Sequence, residues 1–590
     1  MRRILGKSAA VIGILLLPAV LFAQADPPER VARLNFIEGA VSYLPSGGSD
    51  SDWVAAALNR PLTTGDRLWA DANTRCELHS GSTAIRLNSN TGISFLNLDD
   101  TTMQIRLSDG SLILHLRHLD PNEIYEIDTP NIAFSIKRPG DYRIDSFPDS
   151  QQSVITVRQG EGEAIGGGRS WQVISDQQVT LTGTDSLAYD LSDADSQPLS
   201  DFDRWAKSRD EREARAAAPR YVSPEMTGYE DLDTYGVWVN VPGYGWCWRP
   251  NGTPVAWAPY RYGHWVWIAP WGWTWVEDEP WGFAPFHYGR WAFYSSNWFW
   301  VPGPIVARPV YAPALVAWVG GNGFSFSASF GPRGGIGWFP LGPREVFLPA
   351  YHVSERYAAN VNLTNTVVNR TTIVNVYRSQ SIQNVTYVNR GAPNAVTVVS
   401  HENFINARPV ARNVVNVPAN AIASAPVSHI SSAAPERLSV FGPGNRNTPH
   451  PPAQIVNRPV IAKQNPPPEP NHFGRLQNAP SDRPPSQTSA RPADQISNQP
   501  ARAPSDQQSS PRTPSARPNA GYQQTRPAAS SEAANVAKPQ ETPRSLAKPA
   551  PAVQPHTSRE QEDIRSKQKA WEGARAKRKD DNKEHKRTDR

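Results

Sequence analysis

Tryptophan is concentrated in one part of this 590-residue chain and recurs there at a regular interval. Thirteen of the twenty tryptophans lie between Trp238 and Trp300. The segment WAPYRYGHW (257–265) matches FAPFHYGRW (283–291), position for position, at a shift of 26 residues. A period of this length indicates one supersecondary unit that is used several times, with each copy packing on the next.

Pairs of tryptophans separated by one residue mark three successive copies of this unit: Trp246/Trp248, Trp273/Trp275 and Trp298/Trp300. The stretch IGWFPLGPREVFLPAY (336–351) is interpreted as a degenerate last copy. Residues two apart on a strand share one face, and the intervening glycines supply tight turns. The pattern therefore predicts Trp-x-Trp β-hairpins, assembled into an aromatic-rich β-repeat domain over residues 228–350.

Rings at this density suit a membrane interface, a sugar-binding surface or the core of the domain. The membrane use is the weakest, because residues 277–279 are all acidic and the strands are too short for a transmembrane barrel. Most rings should be buried, but a domain of about 120 residues has too little interior to hide them all. Rings that remain exposed would stack on pyranose rings or on peptide prolines. The candidates are Trp265, Trp267, Trp273, Trp275 and Trp291.

Four polar residues occupy equivalent positions in two copies of the repeat. Arg261 and His264 in one copy correspond to His287 and Arg290 in the next, with the residue types exchanged. These side chains are candidate contacts to an anionic group of a glycan. Hydrogen bonding and stacking within the domain is the alternative role.

Catalytic chemistry has little support in the sequence. The adjacent carboxylates of residues 277–279 should be solvated on a turn, and no second, suitably spaced carboxylate accompanies them for glycoside hydrolysis. We find no nucleophile–base pair, phosphate-binding loop or metal-ligand cluster. Cys76 and Cys247 lie in different predicted domains, and whether they pair is left open. We therefore expect a non-enzymatic protein with no catalytic residues, no cofactor and no metal.

Residues 30–190 show the pattern of an all-β domain. Apolar residues alternate with polar ones, and turn signals such as Asn-Ser-Asn and Asp-Gly separate the runs. This pattern predicts an antiparallel sandwich or a related all-β stack. The apolar positions on which the prediction depends are Ile85/Leu87, Ile93/Phe95, Ile105/Leu107 and Leu112/Leu114/Leu116.

The same segment resembles the FecR domain over about residues 35–185. The resemblance rests on an ordered series of motifs: PLTTGDRLW, GSTAIRLNSNT, LSDGSLILHL, YEIDTPNIAF and VITVRQGEGEAIG. It implies a periplasmic β module. Familiar FecR proteins regulate iron uptake by acting on a sigma factor across the inner membrane. Because this chain shows no cytoplasmic module before its apolar N-terminal segment and no internal span, regulation by that route is not expected.

The aromatic segment is similar to a Tyr/Trp/Gly/Pro-rich domain of unknown function that follows FecR-like modules in exported bacterial proteins. The matching residues run from GYEDLDTYGVWVNVPGYGW (228–246) to WFPLGPREV (338–346). Since no activity is established for that domain, the similarity implies an order of modules and no reaction.

The N-terminus has the layout of a cleaved secretory signal over residues 1–25. A basic start precedes the apolar stretch 9–22 and the small-x-small end Ala23-Gln24-Ala25. No later run of about 18 apolar residues follows, so no integral membrane span is expected after cleavage. We expect the protein in the periplasm, at the cell surface or secreted.

The remaining segments are assigned by composition. Residues 200–218 read as a charged connector helix, capped by Ser200 or Asp201. Residues 351–410, rich in Asn, Thr and Val, should form strands or an extended stretch. Residues 415–590 form a Pro/Ala/Ser/Gln-rich tail that should be disordered, with 22 prolines between Pro451 and Pro555. A charged helix around Trp571 is possible near its end.

Charge is distributed unevenly between the body and the tail. The whole chain carries a formal charge of +5, yet residues 451–590 alone contain 24 Lys and Arg against 14 Asp and Glu, a net +10. With three further positive charges in the signal, residues 26–450 carry about −8. A basic tail on an acidic body argues against a folded nucleic-acid-binding domain.

These observations favour a mainly β, exported envelope protein that binds or scaffolds through its aromatic repeats. The expected partners are peptidoglycan, another cell-wall or surface polysaccharide, or envelope proteins. The alternative, supported by the FecR resemblance alone, is a signalling or regulatory protein of the envelope.

Overall fold

A computed structural model describes most of the chain between residues 25 and 588, and side chains as far as residue 578. The residues left out between those limits are 197, 255, 321–333, 381–385, 471 and 474–545. The predicted signal segment therefore lies outside the described residues. All the elements below lie within residues 25–473 and 546–588. Within the described residues, every helix is too short or too polar to cross a membrane.

The first part of the chain consists of seventeen strands: β1 (Ala32–Glu38), β2 (Val41–Leu44), β3 (Val54–Ala55), β4 (Pro61–Leu62), β5 (Arg67–Ala70), β6 (Arg75–Ser80), β7 (Thr83–Leu87), β8 (Thr91–Leu98), β9 (Thr102–Leu116), β10 (Ile124–Asp128), β11 (Ala133–Ile136), β12 (Gly140–Phe147), β13 (Gln152–Gln159), β14 (Glu161–Gly166), β15 (Arg169–Ile174), β16 (Gln177–Thr182) and β17 (Ala188–Asp193).

The long strand β9 joins two sheets of this all-β part. Its first half pairs with β8 and β10, and its second half pairs with β7 and β12. The direction changes near Gly110, whose φ of +90° lies in the left-handed region that favours glycine. All pairings are antiparallel except β9 with β10. The predicted alternating residues Ile85, Phe95, Leu107 and Leu114 are all buried in one shared core, so the all-β prediction is confirmed.

The aromatic segment folds into four hairpins, each of which pairs tryptophans across its two strands. The hairpins are β18 (Gly236–Val241) with β19 (Gly245–Pro250), β20 (Gly263–Ile268) with β21 (Gly272–Glu277), β22 (Arg290–Tyr294) with β23 (Asn297–Val301), and β24 (Val316–Val319) with β25 (Gly335–Pro340). The directly opposed residues are Trp238/Trp248, Trp265/Trp275, Trp291/Trp300 and Trp318/Trp338. The repeat seen in the sequence is thus a hairpin closed by a cross-strand tryptophan pair.

The paired rings of different hairpins meet in one core. The ring centroids of Trp265 and Trp275 are 5.3 Å apart, with an interplanar angle of 70°. Trp265 also lies 5.3 Å from Trp338 and 4.7 Å from Trp318, which belong to the last hairpin. Such edge-on and tilted contacts stabilise aromatic pairs beyond the area they bury. The repeats therefore hold one another together through their tryptophans.

The structure describes ten α-helices: α1 (Asp201–Ala214), α2 (Leu232–Tyr235), α3 (Ala284–His287), α4 (Glu355–Leu363), α5 (Arg370–Ser379), α6 (His401–Ile405), α7 (Ala419–Ser424), α8 (Arg437–Phe441), α9 (Ala453–Val456) and α10 (Ser558–Thr588). Four short strands complete the described elements: β26 (Thr397–Ser400), β27 (Val427–Ser428), β28 (Val460–Ala462) and β29 (Ala547–Pro549). β26 and β27 extend the sheet of the last hairpin.

The prediction of strands or an extended stretch for residues 351–410 is wrong over α4 and α5, because both segments are helical. Ser354 caps α4 by accepting a hydrogen bond from the backbone N–H of Tyr357. Tyr357, Ala358 and Val361 then pack into the aromatic core, which outweighs the strand preference of this Asn- and Val-rich stretch. The aromatic domain consequently extends beyond residue 350.

The predicted connector helix forms as α1, with a capping box between Ser200 and Asp203. It ends at Ala214, earlier than expected, and it packs on the first sheets through Phe202 and Ala206. A helix also forms around Trp571, as α10.

Ordered structure reaches further than the predicted start of the tail at residue 415. Phe441 belongs to the core of the first sheets, and Val456 and Val460 are buried. Most of the predicted disordered segment, residues 474–545, lies outside the described residues.

Replacing Trp275 with Ala should destabilise the aromatic domain by about 3–5 kcal/mol, because the side chain is fully buried and its removal leaves a cavity. Urea denaturation followed by far-UV circular dichroism measures the loss. Tyr294→Ala is the control, since that ring is 39% exposed, and its cost should stay below about 1 kcal/mol. Equal losses in the two variants would contradict a core role for the cross-strand pair.

Candidate functional site

Three of the predicted stacking residues are buried and unavailable to a ligand. Trp265, Trp275 and Trp291 are each no more than 1% exposed. Their partners are other rings and backbone groups, as when the Trp291 indole N–H donates to the Pro285 carbonyl at 2.8 Å. The stacking prediction is wrong for these residues, because they form the cross-strand pairs that fill the core.

Trp267 and Trp273 are the predicted stacking residues that retain access to a cavity. They line a cleft of about 120 Å³, together with Trp271 and Trp318. Trp267 is half-buried, while Trp273 is buried and its indole N–H donates to the Ala433 carbonyl. The cleft has room for the end of a ligand and not for an extended chain.

Two of the residues predicted to contact a ligand, Arg290 and His287, form hydrogen bonds inside the domain instead. Arg290 is buried, and its guanidinium donates to the Glu345 carbonyl and to the Asn362 side chain. His287 is bonded to the Ala312 carbonyl at 2.8 Å, and burial lowers its pKa to about 3. The ligand role is therefore wrong for Arg290 and His287, and the alternative of internal hydrogen bonding holds.

The other two polar candidates lie nearer the surface. The Nδ1 atom of His264 is 3.6 Å from an Asp278 carboxylate oxygen, but the ring itself is buried. Arg261 is half-buried and approaches the Asn394 carbonyl at 3.5 Å. Neither residue lies beside the predicted stacking rings Trp267 and Trp273 in their cleft.

Trp246 is the exposed tryptophan of this protein. All twenty tryptophans fall within the described residues; Trp246 is 50% exposed, and Trp205, Trp238 and Trp267 are half-buried. Trp246 lies at the start of β19, directly after the tight turn of the first hairpin. Because this domain buries nearly all its other tryptophans, the surroundings of Trp246 are its candidate ligand-binding surface.

A groove of about 420 Å³ runs beside Trp246, and we call it the aromatic groove. Proline and glycine backbone around residues 302–304 forms one wall. The side chains that define it are Arg220, Tyr221, Tyr244, Trp246, Ile305 and Arg344. Tyr244 and Ile305 are 37% and 61% exposed, so the lining presents apolar surface to solvent.

The rings of the aromatic groove are held in place by contacts behind them. Tyr221 stacks on Trp238 with centroids 4.4 Å apart and an interplanar angle of 22°. Tyr221 also lies 5.1 Å from Trp246. The Trp238 indole N–H in turn donates to Asp233 at 3.3 Å. The platform is thus pre-organised and does not have to be ordered by a ligand.

The sequence analysis does not identify the aromatic groove, although the Trp-x-Trp pattern of Trp246 and Trp248 is one signal for it. Trp246 and Trp248 share one face of β19, yet Trp248 is fully buried. The difference arises because Trp248 opposes Trp300 of the neighbouring hairpin, whereas Trp246 lies beyond that contact. Alternation predicts the shared face, and only the three-dimensional arrangement shows where the core ends.

The largest cluster of buried charged groups lies between the first sheets, α1 and the aromatic domain. Arg33 on β1 pairs with Glu230 at 3.0 Å and with Asp231 at 2.7 Å. His79 on β6 lies 3.1 Å from Glu77 and 3.3 Å from Glu230. We call this group the junction cluster.

The junction cluster is closed to solvent, so we assign it a structural role. Burial lowers the pKa of His79, but the surrounding carboxylates of Glu230, Glu213 and Glu77 raise it above its ordinary value. For Glu77, burial raises the pKa, but His79 and Arg86 hold it well below the usual range. Ion pairs rather than a substrate satisfy these groups.

The Glu277 carboxyl and the two cysteine thiols are also buried. Glu277, expected on a solvated turn, is instead buried; burial raises its pKa well above the usual value, and it accepts a hydrogen bond from Trp275. Its depth leaves no path for a substrate. The free thiols of Cys76 and Cys247 are also buried, so the two residues are not paired.

A candidate metal-ligand group lies on α1 and the first sheets. His115, Asp141 and Asp210 bring one nitrogen and two carboxylate oxygens within 4.8 Å of one another. However, Arg86 donates to Asp210 at 2.7 Å, and His115 is bonded to Asp141 at 2.5 Å. Internal pairs therefore already occupy these ligand atoms.

The aromatic hairpins match the model of a family whose function is unknown. Residues 229–345 match the model of DUF6600, a family of unknown function. This range covers all four tryptophan hairpins and most of the aromatic groove, so the predicted similarity to a domain of unknown function is confirmed there. No curated protein matches the chain.

Two solved structures show a weak likeness to the chain. Both are crystal structures of a proposed anti-sigma factor from Parabacteroides distasonis, at 12% and 11% sequence identity. Each match covers 22% of this chain and 60% of the other chain, with a TM-score of 0.20. This chain therefore spans less than two thirds of the protein it matches, and likeness at this level carries no inference about fold or function. The FecR resemblance stays a prediction.

The junction cluster should make stability depend on pH through His79. Because the pKa of His79 is raised in the folded protein, the protonated ring contributes to the free energy of unfolding. This contribution is complete below the ordinary histidine pKa of about 6.5, and it is lost as the pH rises through the pKa of the folded state. The Tm advantage of wild type over His79→Gln should therefore be larger at pH 6 than at pH 9. Thermal unfolding across this range measures it, with surface His450→Gln as the control. An advantage that grows with pH would contradict the assignment.

Proposed function

We propose that this protein is a non-enzymatic, exported envelope protein that binds a cell-wall or cell-surface polysaccharide through the aromatic groove. The observation that carries the proposal is Trp246, a half-exposed indole on a protein that buries nearly every other tryptophan. The flat face of an indole matches the apolar C–H face of a pyranose ring. Tyr221 and Tyr244 add further ring surface beside it.

The surroundings of Trp246 fit a saccharide better than a flat protein partner. Sugars need apolar stacking surface together with hydrogen-bonding groups at the rim. The aromatic groove offers both, since two tyrosines and two arginines line it along with the backbone of residues 302–304. Its volume of about 420 Å³ falls within the range of small-molecule sites, which suits one or two sugar units.

A binding role also agrees with the state of the titratable groups. Glycoside hydrolysis requires two carboxyl groups facing the scissile bond. Among the described residues, no aspartate or glutamate lines the aromatic groove. The carboxylates of the junction cluster, such as Glu77 and Glu230, have shifted pKa values, but they are closed to solvent. These features support a non-enzymatic protein.

A regulatory role is the second candidate, and one contact favours it. Helix α1 contributes Glu213 to the junction cluster, and Tyr221, a few residues later, lines the aromatic groove. A ligand that moves Tyr221 would therefore act on the segment that joins the two parts of the molecule. Loss of a transcriptional response in a Tyr221→Ala strain, with protein levels unchanged, is the result that this role predicts.

Trp246→Ala should reduce retention on purified cell wall or exopolysaccharide by roughly tenfold to thirtyfold, the usual effect of removing a tryptophan at a binding hot spot. Co-sedimentation of the full chain with purified peptidoglycan sacculi, and affinity electrophoresis in exopolysaccharide, measure the retention. Tyr294→Ala is the matched control, because that ring is 39% exposed but lies outside the aromatic groove. It should bind as wild type does.

Two results would overturn the polysaccharide proposal. One is a wild-type protein that neither sacculi nor exopolysaccharide retain. The other is a Trp246→Ala protein that binds as tightly as wild type and unfolds at the same temperature.

A further inference from the structure

We infer that the aromatic groove selects an acidic saccharide, whose anionic group is bound by Arg220 and Arg344. The inference rests on the proposed function, since it names the class of saccharide for the same groove. Arg220 and Arg344 are its two charged lining residues, and both are exposed. The rest of the lining is aromatic, aliphatic or backbone, apart from Thr366.

Neither guanidinium is neutralised by the protein. Within the described residues, neither side chain makes an ion pair or a hydrogen bond, whereas arginines such as Arg33, Arg86 and Arg143 are paired with carboxylates. An unpaired arginine beside an aromatic surface is a ready donor for a carboxylate or a phosphate, which it can bind through two parallel hydrogen bonds.

The acidic neighbour of Arg344 is turned away from the aromatic groove. Glu345 is buried, and its two carboxylate oxygens accept from the backbone N–H groups of Gly342 at 2.7 Å and Val388 at 2.8 Å. Arg344 has a φ of +72°, in the left-handed region, and its backbone N–H donates to Thr366 at 2.9 Å. This unusual backbone separates an outward guanidinium from an inward carboxylate.

The acidic neighbour of Arg220 is also engaged elsewhere. Asp233 accepts from the backbone N–H groups of Ala217 and Ala218, at the start of the 3-10 turn that carries Arg220. It also accepts from the Trp238 indole. Asp233 and Glu345 thus hold the backbone around the groove in place, and neither of them pairs with Arg220 or Arg344.

The charge of the surrounding chain sets the two arginines apart. Residues 26–450 carry about −8, whereas the charged side chains that line the aromatic groove are Arg220 and Arg344. A saccharide with one acidic group for each ring places a single charge between the arginines while its ring stacks on Trp246.

The test compares two oligosaccharides of the same length. Isothermal titration calorimetry of the full chain uses tetragalacturonic acid and the same tetramer after reduction of its carboxyl groups to alcohols. Wild type should bind the acid at least about tenfold more tightly than the neutral tetramer at low ionic strength. The double variant Arg220→Gln/Arg344→Gln should bind the two tetramers equally.

Arg412→Gln is the matched control, since this arginine is exposed and lies outside the aromatic groove. It removes one positive charge and should keep the preference for the acid. Inorganic phosphate should compete with the acidic tetramer for wild type and not for the double variant. Added salt should weaken binding of the acidic tetramer and leave binding of the neutral tetramer unchanged.

The outcomes separate this inference from the proposed function. If both tetramers bind equally and both depend on Trp246, the acidic class is wrong while polysaccharide binding stands. If neither tetramer binds, the acidic-saccharide inference is wrong, while retention on sacculi and exopolysaccharide decides the proposed function separately. If Trp246→Ala leaves binding unchanged, both proposals fail for this groove. If tetraglutamate binds as tightly as the acidic tetramer, the groove recognises charge alone, and the saccharide class is overturned.

Discussion

The buried ion pairs of Arg33 are the contact on which the rest of the architecture depends. The Arg33 side chain is fully buried, and it holds Glu230 and Asp231 at the entrance to the aromatic domain. A charge in this position must be paired, because an isolated buried ion costs several kcal/mol. The first sheets and the tryptophan hairpins are therefore obliged to fold against each other. The GYED motif (228–231), which the sequence offers as the start of a separate domain, is the part that makes this contact.

Tryptophan has two uses in this fold, and position within the hairpin decides between them. In three of the four hairpins both members of the cross-strand pair are buried in the shared core, as Trp265 and Trp275 are, whereas in the first hairpin Trp248 is buried and Trp238 is half-buried. Trp246 occupies the same face of its strand as Trp248, but it lies past the contact with Trp300. The pairs thus stabilise the domain, and the position beyond the core is the one to which we assign the proposed binding. A single repeated unit can in this way supply both a scaffold and a ligand platform.

The sequence predicts local pattern well and long-range polar contacts poorly. Alternation in residues 30–190 correctly gives the strands, and the 26-residue period correctly gives the hairpins, because both depend on near neighbours. Arg33 and Glu230 are separated by 197 positions, so no spacing reveals their pairing. The Asn- and Val-rich stretch that forms α4 was misjudged because core packing overrides intrinsic preference. The stacking residues were misplaced for a related reason: periodicity shows which rings share a face, and it does not show which face is covered.

The contrast between the junction cluster and the aromatic groove is the physical basis of the proposal that this protein binds a ligand rather than transforming it. Enzymes place their perturbed titratable groups in an accessible cleft. Here the perturbed carboxylates, such as Glu77 and Glu277, are buried and bonded within the protein. The accessible groove instead carries rings and two permanently charged arginines, and among the described residues that line it there is no carboxyl, imidazole or thiol group. The proposed role of the groove is therefore affinity for an anion, which its two guanidinium groups can hold by charge and by paired hydrogen bonds.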